Sequence, residues 1–167
     1  EAIITKVFFP RLLLPLVPAM SAAVEFLIAL VVLIAMMLTY RMVPSPAVVF
    51  LPLIIVAAGL LGYAIGLVLS PLNAIYRDVG IALPFFMQIA MYLTPVIYPV
   101  TFVPAQYQWL YVLNPVATLI DTMRAIIVAA PWPSLINYAV LAAWIIGLLA
   151  LGLGTFRKLE PAIVDRI

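Results

Sequence analysis

Two runs without a charged residue, 42–76 and 79–120, flank a single charged pair, Arg77-Asp78. Each run exceeds the ~20 apolar residues that cross a bilayer as one helix. An arginine or aspartate at the bilayer centre costs roughly 2.5–3.5 kcal/mol on insertion scales, so two adjacent charges belong in water. The polar stretch Pro71-Leu-Asn73-Ala-Ile-Tyr76-Arg77-Asp78-Val-Gly80 is therefore expected where the membrane stops. Asn73, Arg77 and Asp78 are placed in a water-facing loop between two spans, either as a plain solvated turn or as a surface that meets substrate.

Composition agrees with this reading. The chain is 68% hydrophobic and 8% charged, with a mean hydropathy of +1.32, whereas soluble domains carry about 25% charge. The expected fold is an all-α integral membrane protein. Having no His and no Cys, the sequence excludes imidazole and thiolate metal sites, disulfides and Ser-His or Cys-His nucleophile pairs. A net charge of +2 with scattered basic residues gives no footprint for nucleic acid.

Along the chain, residues 1–18 carry Lys6, Arg11 and three prolines, which suits a segment lying at the surface better than a straight span. The first residue is Glu1 and no leader pattern is seen, so the sequence reads as a fragment beginning mid-chain. Spans are expected over 19–40, 48–69, 81–97 and 136–156. Glu25 is the one carboxylate inside a span; it is a candidate transport site or a group reaching interfacial water. Gly62 and Gly66 form a GxxxG in the second span, expected to pack within the chain ahead of serving a dimer interface.

Residues 95–113 hold three prolines and five aromatics and cannot form one helix. Asn114-Pro115 reads as a helix start, Asn as N-cap and Pro at the first position. The helix from 115 to 128 places Asp121 and Arg124 at i, i+3, where they can pair. Its 14 residues would span only ~21 Å, short of the ~30 Å hydrocarbon core. With four spans, Lys6, Arg11, Arg77, Arg157, Lys158 and Arg166 share one side, against Arg41 and Arg124 on the other. The positive-inside rule thus favours both ends cytoplasmic, 157–167 as a cytoplasmic tail, and 98–133 as a region that dips into the membrane from outside and returns. Irregular backbone at that depth needs protein or a water-filled cavity around it, which points to a gate element.

Five blocks carry a resemblance: Phe9-Pro10-Arg11; Tyr76-Arg77-Asp78-Val79; Thr94-Pro95-Val-Ile-Tyr98-Pro99; Leu113-Asn114-Pro115 with Arg124 beyond it; and Phe156-Arg157-Lys158-Leu-Glu160. In this order and spacing the chain resembles the permease subunit of type-2 ATP-binding-cassette exporters. It is most similar to the group that moves lipid-linked O-antigen, capsule or teichoic acid chains across the bacterial cytoplasmic membrane. The resemblance implies a six-span permease that pairs with a second copy of itself and works with a separate ATPase subunit, on which ATP is bound. It implies that Lys6, Phe9, Pro10 and Arg11 belong to an ATPase-coupling segment. Pro95, Pro99, Asn114, Pro115, Asp121 and Arg124 would build the external gate.

A hydrated sugar polymer suits a conduit of flat aromatic faces with few fixed cations. Tyr92, Tyr98, Phe102, Tyr107, Trp109 and Tyr111 cluster at the outer end of the third span and are candidates for that lining, or for an interfacial aromatic belt among the membrane lipids. The phosphate-cradling motif (Gly, four residues, Gly-Lys-Ser or Gly-Lys-Thr) is absent from the sequence, so the chain is expected to transport rather than catalyse and to hold no cofactor of its own. Three rivals stay open. One is a type-2 exporter of drugs or lipids. Another is an ion-coupled carrier or channel centred on Glu25. The third, a membrane enzyme, would need Glu25, Asp78 and Asp121 to converge.

Overall fold

The computed structural model describes residues 16–42, 45–98 and 100–164, with side chains except those at 16, 17, 19, 77, 101 and 156–164. Among the described residues every regular element is helical: α1 (Leu16–Thr39), α2 (Leu51–Ile75), α3 (Arg77–Leu93), α4 (Gln108–Val112), α5 (Pro115–Val128) and α6 (Leu135–Val164), with short 3₁₀ turns between them. Met20–Thr39, Pro46–Ile75 and Leu135–Thr155 are each long and apolar enough to cross a membrane. The protein is an all-α integral membrane protein.

α2 and α6 form the spine. They run parallel and in step. Phe50, just ahead of α2, meets Trp132, just ahead of α6, edge to face at 6.4 Å. Further along, a Cβ on Gly152 of α6 would lie 2.7 Å from the Leu67 Cβ of α2. α5 lies in the crevice between them and buries Ala117, Thr118, Leu119, Thr122, Ala125 and Ile126. Leu51, Ile54, Leu61, Leu119, Ile126 and Leu141 make the apolar centre. Lipid tails are as apolar as leucine, so close packing rather than burial from water holds such helices together. Ala64, Ala117 and Ala125, each 2% exposed or less, are the small residues that permit it.

Within the chain, a Cβ on Gly62 would meet nothing within 4 Å, while Gly152 of α6 provides a close approach to α2.

The charged corner differs from expectation. α2 passes through Pro71 and ends at Ile75, and Tyr76 alone, extended at φ −117° and ψ 97°, separates it from α3. Asn73 therefore sits in the last turn of α2, and Arg77 and Asp78 open α3 rather than forming a loop. A carboxylate in the first turn complements the helix dipole. The Asn73 side chain lies over Gly80, where a Cβ would fall 2.5 Å from its Oδ1.

α3 is 17 residues long, ~25 Å. It ends at Leu93, short of the expected 97, because Thr94 precedes Pro95 and adopts φ −91° and ψ 140°. The α5 end is unusual in another way. Ala129 caps it in the left-handed region, φ 54° and ψ 34°, its N–H bonded to the Arg124 carbonyl. Glycine adopts that conformation without a Cβ penalty. Ala129→Gly is expected to stabilise the protein by about 0.5–1 kcal/mol, read as a higher thermal midpoint in detergent.

Candidate functional site

The region of interest is the joint between the end of α3 and the bent pair of α4 and α5. Ala105–Val112 and Pro115–Val128 meet at 96°. Asn114 forms the corner and uses both ends of its amide. Its Oδ1 accepts from the N–H groups of Val116 and Ala117 at 3.0 and 3.4 Å, capping α5. Its Nδ2 donates to Thr94 Oγ1 at 3.0 Å, and Thr94 is only 4% exposed. One residue thus ties the end of α3 to the start of α5.

Contacts to α6 give the depth of this corner. Trp144 lies nine residues into α6, a rise of ~14 Å. Its indole N–H donates to the Leu113 carbonyl at 2.9 Å. The corner is therefore set well inside the span, with its freed carbonyl satisfied by protein. α5 then climbs back toward the start of α6, where Thr122 Oγ1 and Tyr138 OH lie 3.1 Å apart. Because Thr94 and Asn114 touch, the chain between them leaves the level of the corner and returns to it. α3 ends and α5 begins at this one level.

Two further links close the joint. Arg124 Nη1 donates to Asp121 Oδ1 at 3.0 Å and its Nη2 to the Val96 carbonyl at 2.8 Å. The hydroxyls of Tyr98 and Tyr111 lie 2.8 Å apart, and Tyr98 OH also donates to the Tyr92 carbonyl at 3.1 Å. An arginine at membrane depth is tolerated when a carboxylate and a carbonyl satisfy it. Buried Pro95 packs behind these contacts, beside Thr94.

Of the expected aromatic residues, Tyr92, Tyr98 and Tyr111 are brought together, Tyr92 through its backbone. Phe102, Tyr107 and Trp109 are exposed. Glu25 is exposed on α1, outside the core of α2, α5 and α6. Asp78 is exposed at the far end of α3 from Asp121, so these acids do not form one site. Lys6, Phe9, Pro10, Arg11 and Pro99 lie outside the described residues, as does the Arg77 side chain. Sequence reasoning misses Thr94, Trp144, Thr122 and Tyr138 as participants. Thr94 is legible as a helix stop; its bond to Asn114 has no local signal.

Residues 6–128 match the ABC-2 type transporter family. The chain belongs to that family. Among curated proteins it is 29% identical over 162 residues to the O-antigen export system permease protein RfbA of Klebsiella pneumoniae, covering 95% of this chain and 61% of the relative. A protein of the same name from Myxococcus xanthus is 24% identical over 126 residues, 74% of this chain and 48% of the relative. The chain thus spans about three-fifths of the length of the Klebsiella relatives. No solved structure matches it. Membership of this family suits a transport component rather than a catalytic enzyme.

Proposed function

We propose that the chain forms part of the permease subunit of an ATP-driven exporter, moving a lipid-linked polysaccharide or polyol-phosphate polymer across the bacterial cytoplasmic membrane. The match across 6–128 to the ABC-2 type transporters carries the proposal. The likeness to O-antigen export permeases supports the substrate class. In this reading a separate ATPase subunit supplies the energy and a second copy of the permease completes the conduit. Both ends of the chain lie in the cytoplasm, with the corner of α4 and α5 facing outward.

The physical chemistry of the joint supports this reading. A non-helical corner inside a span is tolerated where protein surrounds it or it borders a watery path. Exposed Tyr92, Phe102, Tyr107 and Trp109 offer flat faces on which sugar rings can stack, and the region's one described cation, Arg124, is occupied by Asp121 and Val96. A polymer with anionic groups would find no free cation among these residues to hold it.

The test is co-purification of the full-length protein in mild detergent, followed by an ATPase assay with and without lipid-linked glycan. A stoichiometric ATPase whose turnover rises with glycan is the expected result. An ATPase stimulated by drugs or phospholipids and indifferent to glycan would shift the reading to another class of type-2 exporter. No ATPase at all would overturn it.

A further inference from the structure

We infer that the joint between α3 and α5 stays closed throughout the transport cycle, with Thr94, Asn114 and Arg124 as positioning residues that keep Tyr98 and Tyr111 at a fixed place. The inference rests on the transport reading above, but its first test does not require export.

Three bonds cross the joint, each between residues far apart in sequence: Asn114 to Thr94 at 3.0 Å, Arg124 to the Val96 carbonyl at 2.8 Å, and Tyr98 to Tyr111 at 2.8 Å. The first joins two helix-capping residues, Thr94 at the end of α3 and Asn114 at the start of α5. Parting the joint would strip both helix ends and a guanidinium of their partners at once, and Thr94, 4% exposed, has little access to water in exchange.

The rest of α3 is held differently. Ile81, Phe85, Phe86, Met87 and Leu93 are 61–78% exposed, so α3 is not wedged among the other helices along its length. Tyr76 is its single-residue corner with α2. Flexing at that corner keeps the three bonds only where the end of α3 and α5 move as one piece. Opening between α3 and α5 breaks all of them. Movement of the conduit therefore takes place elsewhere, and the two tyrosines ride with the joint.

The first test uses spin labels on Phe86→Cys and Val116→Cys in the full-length permease, with its distance distribution measured in lipid nanodiscs with and without ATP and the co-purified ATPase. The 167 residues hold no cysteine, and any cysteine elsewhere in the full-length protein is first replaced by serine. One narrow distance, unchanged by ATP, is expected. Arg124→Gln should broaden it, raising the separated population by about tenfold. With labelled chains diluted by unlabelled ones so that only distances within one chain are read, two distances in the unmodified joint, or a shift with ATP, would overturn the inference.

The second test combines Thr94→Cys with Asn114→Cys in one chain and compares its oxidised and reduced forms, so that any folding defect is common to both. Export by the oxidised form equal to that of the reduced form is expected. Loss of export on oxidation, restored by reductant, would show that the joint has to open. If the unmodified protein shows no ATP-dependent export, the proposed function fails, and the distance measurement still decides the joint.

Discussion

Replacing Asn114 by alanine is expected to destabilise the protein by about 2–4 kcal/mol, a large effect for a single polar substitution. Two losses combine. The cap on α5 goes, typically about 1 kcal/mol, and the Thr94 hydroxyl, 4% exposed, loses the donor that Asn114 supplies at 3.0 Å. A buried polar group left unpaired costs about 1–3 kcal/mol. Asn114→Ser separates the two: serine retains a capping oxygen but is too short to reach Thr94, so only the second loss remains. Thermal unfolding in detergent, followed by circular dichroism, should rank the wild type above Asn114→Ser and Asn114→Ser above Asn114→Ala. A midpoint for Asn114→Ser equal to that of the wild type would mean that the bond to Thr94 contributes nothing.

The second large effect is expected at Gly152. An added Cβ there would lie 2.7 Å from the Leu67 Cβ, and 3.3 and 3.4 Å from backbone atoms of Leu67 and Val68. Backbone in the middle of a packed helix does not yield as a flexible side chain does. Gly152→Ala should push α6 off α2 and cost about 1–3 kcal/mol, as overpacking in a close-packed interior does. The same substitution ordinarily strengthens a helix by about 0.5–1 kcal/mol. Gly147, on the same helix, meets nothing within 4 Å, so Gly147→Ala is expected to show that gain. Opposite signs for two glycine-to-alanine changes on one helix would locate the contact, and matching signs would refute it.

The sequence is most legible where a residue acts on its own backbone. Thr94-Pro95 ends a helix because the residue before proline is driven extended. Asn114-Pro115 starts one because an amide can cap it and proline needs no donor, and α5 occupies the expected 115–128. The pairing of Asp121 with Arg124 follows from helical spacing and is present at 3.0 Å. The sequence misleads at the charged corner. Charge marks where water begins, but it does not say that the backbone leaves the helix there, so Arg77 and Asp78 read as a loop and yet form the first turn of α3.

Contacts across the fold are not legible at all. Nothing near Trp144 indicates that its indole will satisfy a carbonyl at Leu113, 31 residues earlier. Gly62 has the familiar spacing and open space around it, whereas Gly152, which lacks a spaced partner, is pressed against another helix. The joint of α3 and α5 is of the same kind: Thr94 and Asn114 are 20 residues apart, and no local pattern pairs them.

The early end of α3 also makes the hydrophobic thickness uneven around the protein's perimeter. Met20–Thr39 and Leu135–Thr155 present 20 and 21 positions of apolar helix, ~30 Å of hydrocarbon-matching wall. On the α3 side the wall ends at Leu93, ~25 Å from its start, and an irregular loop with polar backbone follows. Acyl chains beside it would have to thin, at fractions of a kcal/mol per ångström of mismatch. Turning that side away from lipid removes the mismatch, so the short side of the perimeter is the side a bilayer selects against exposing.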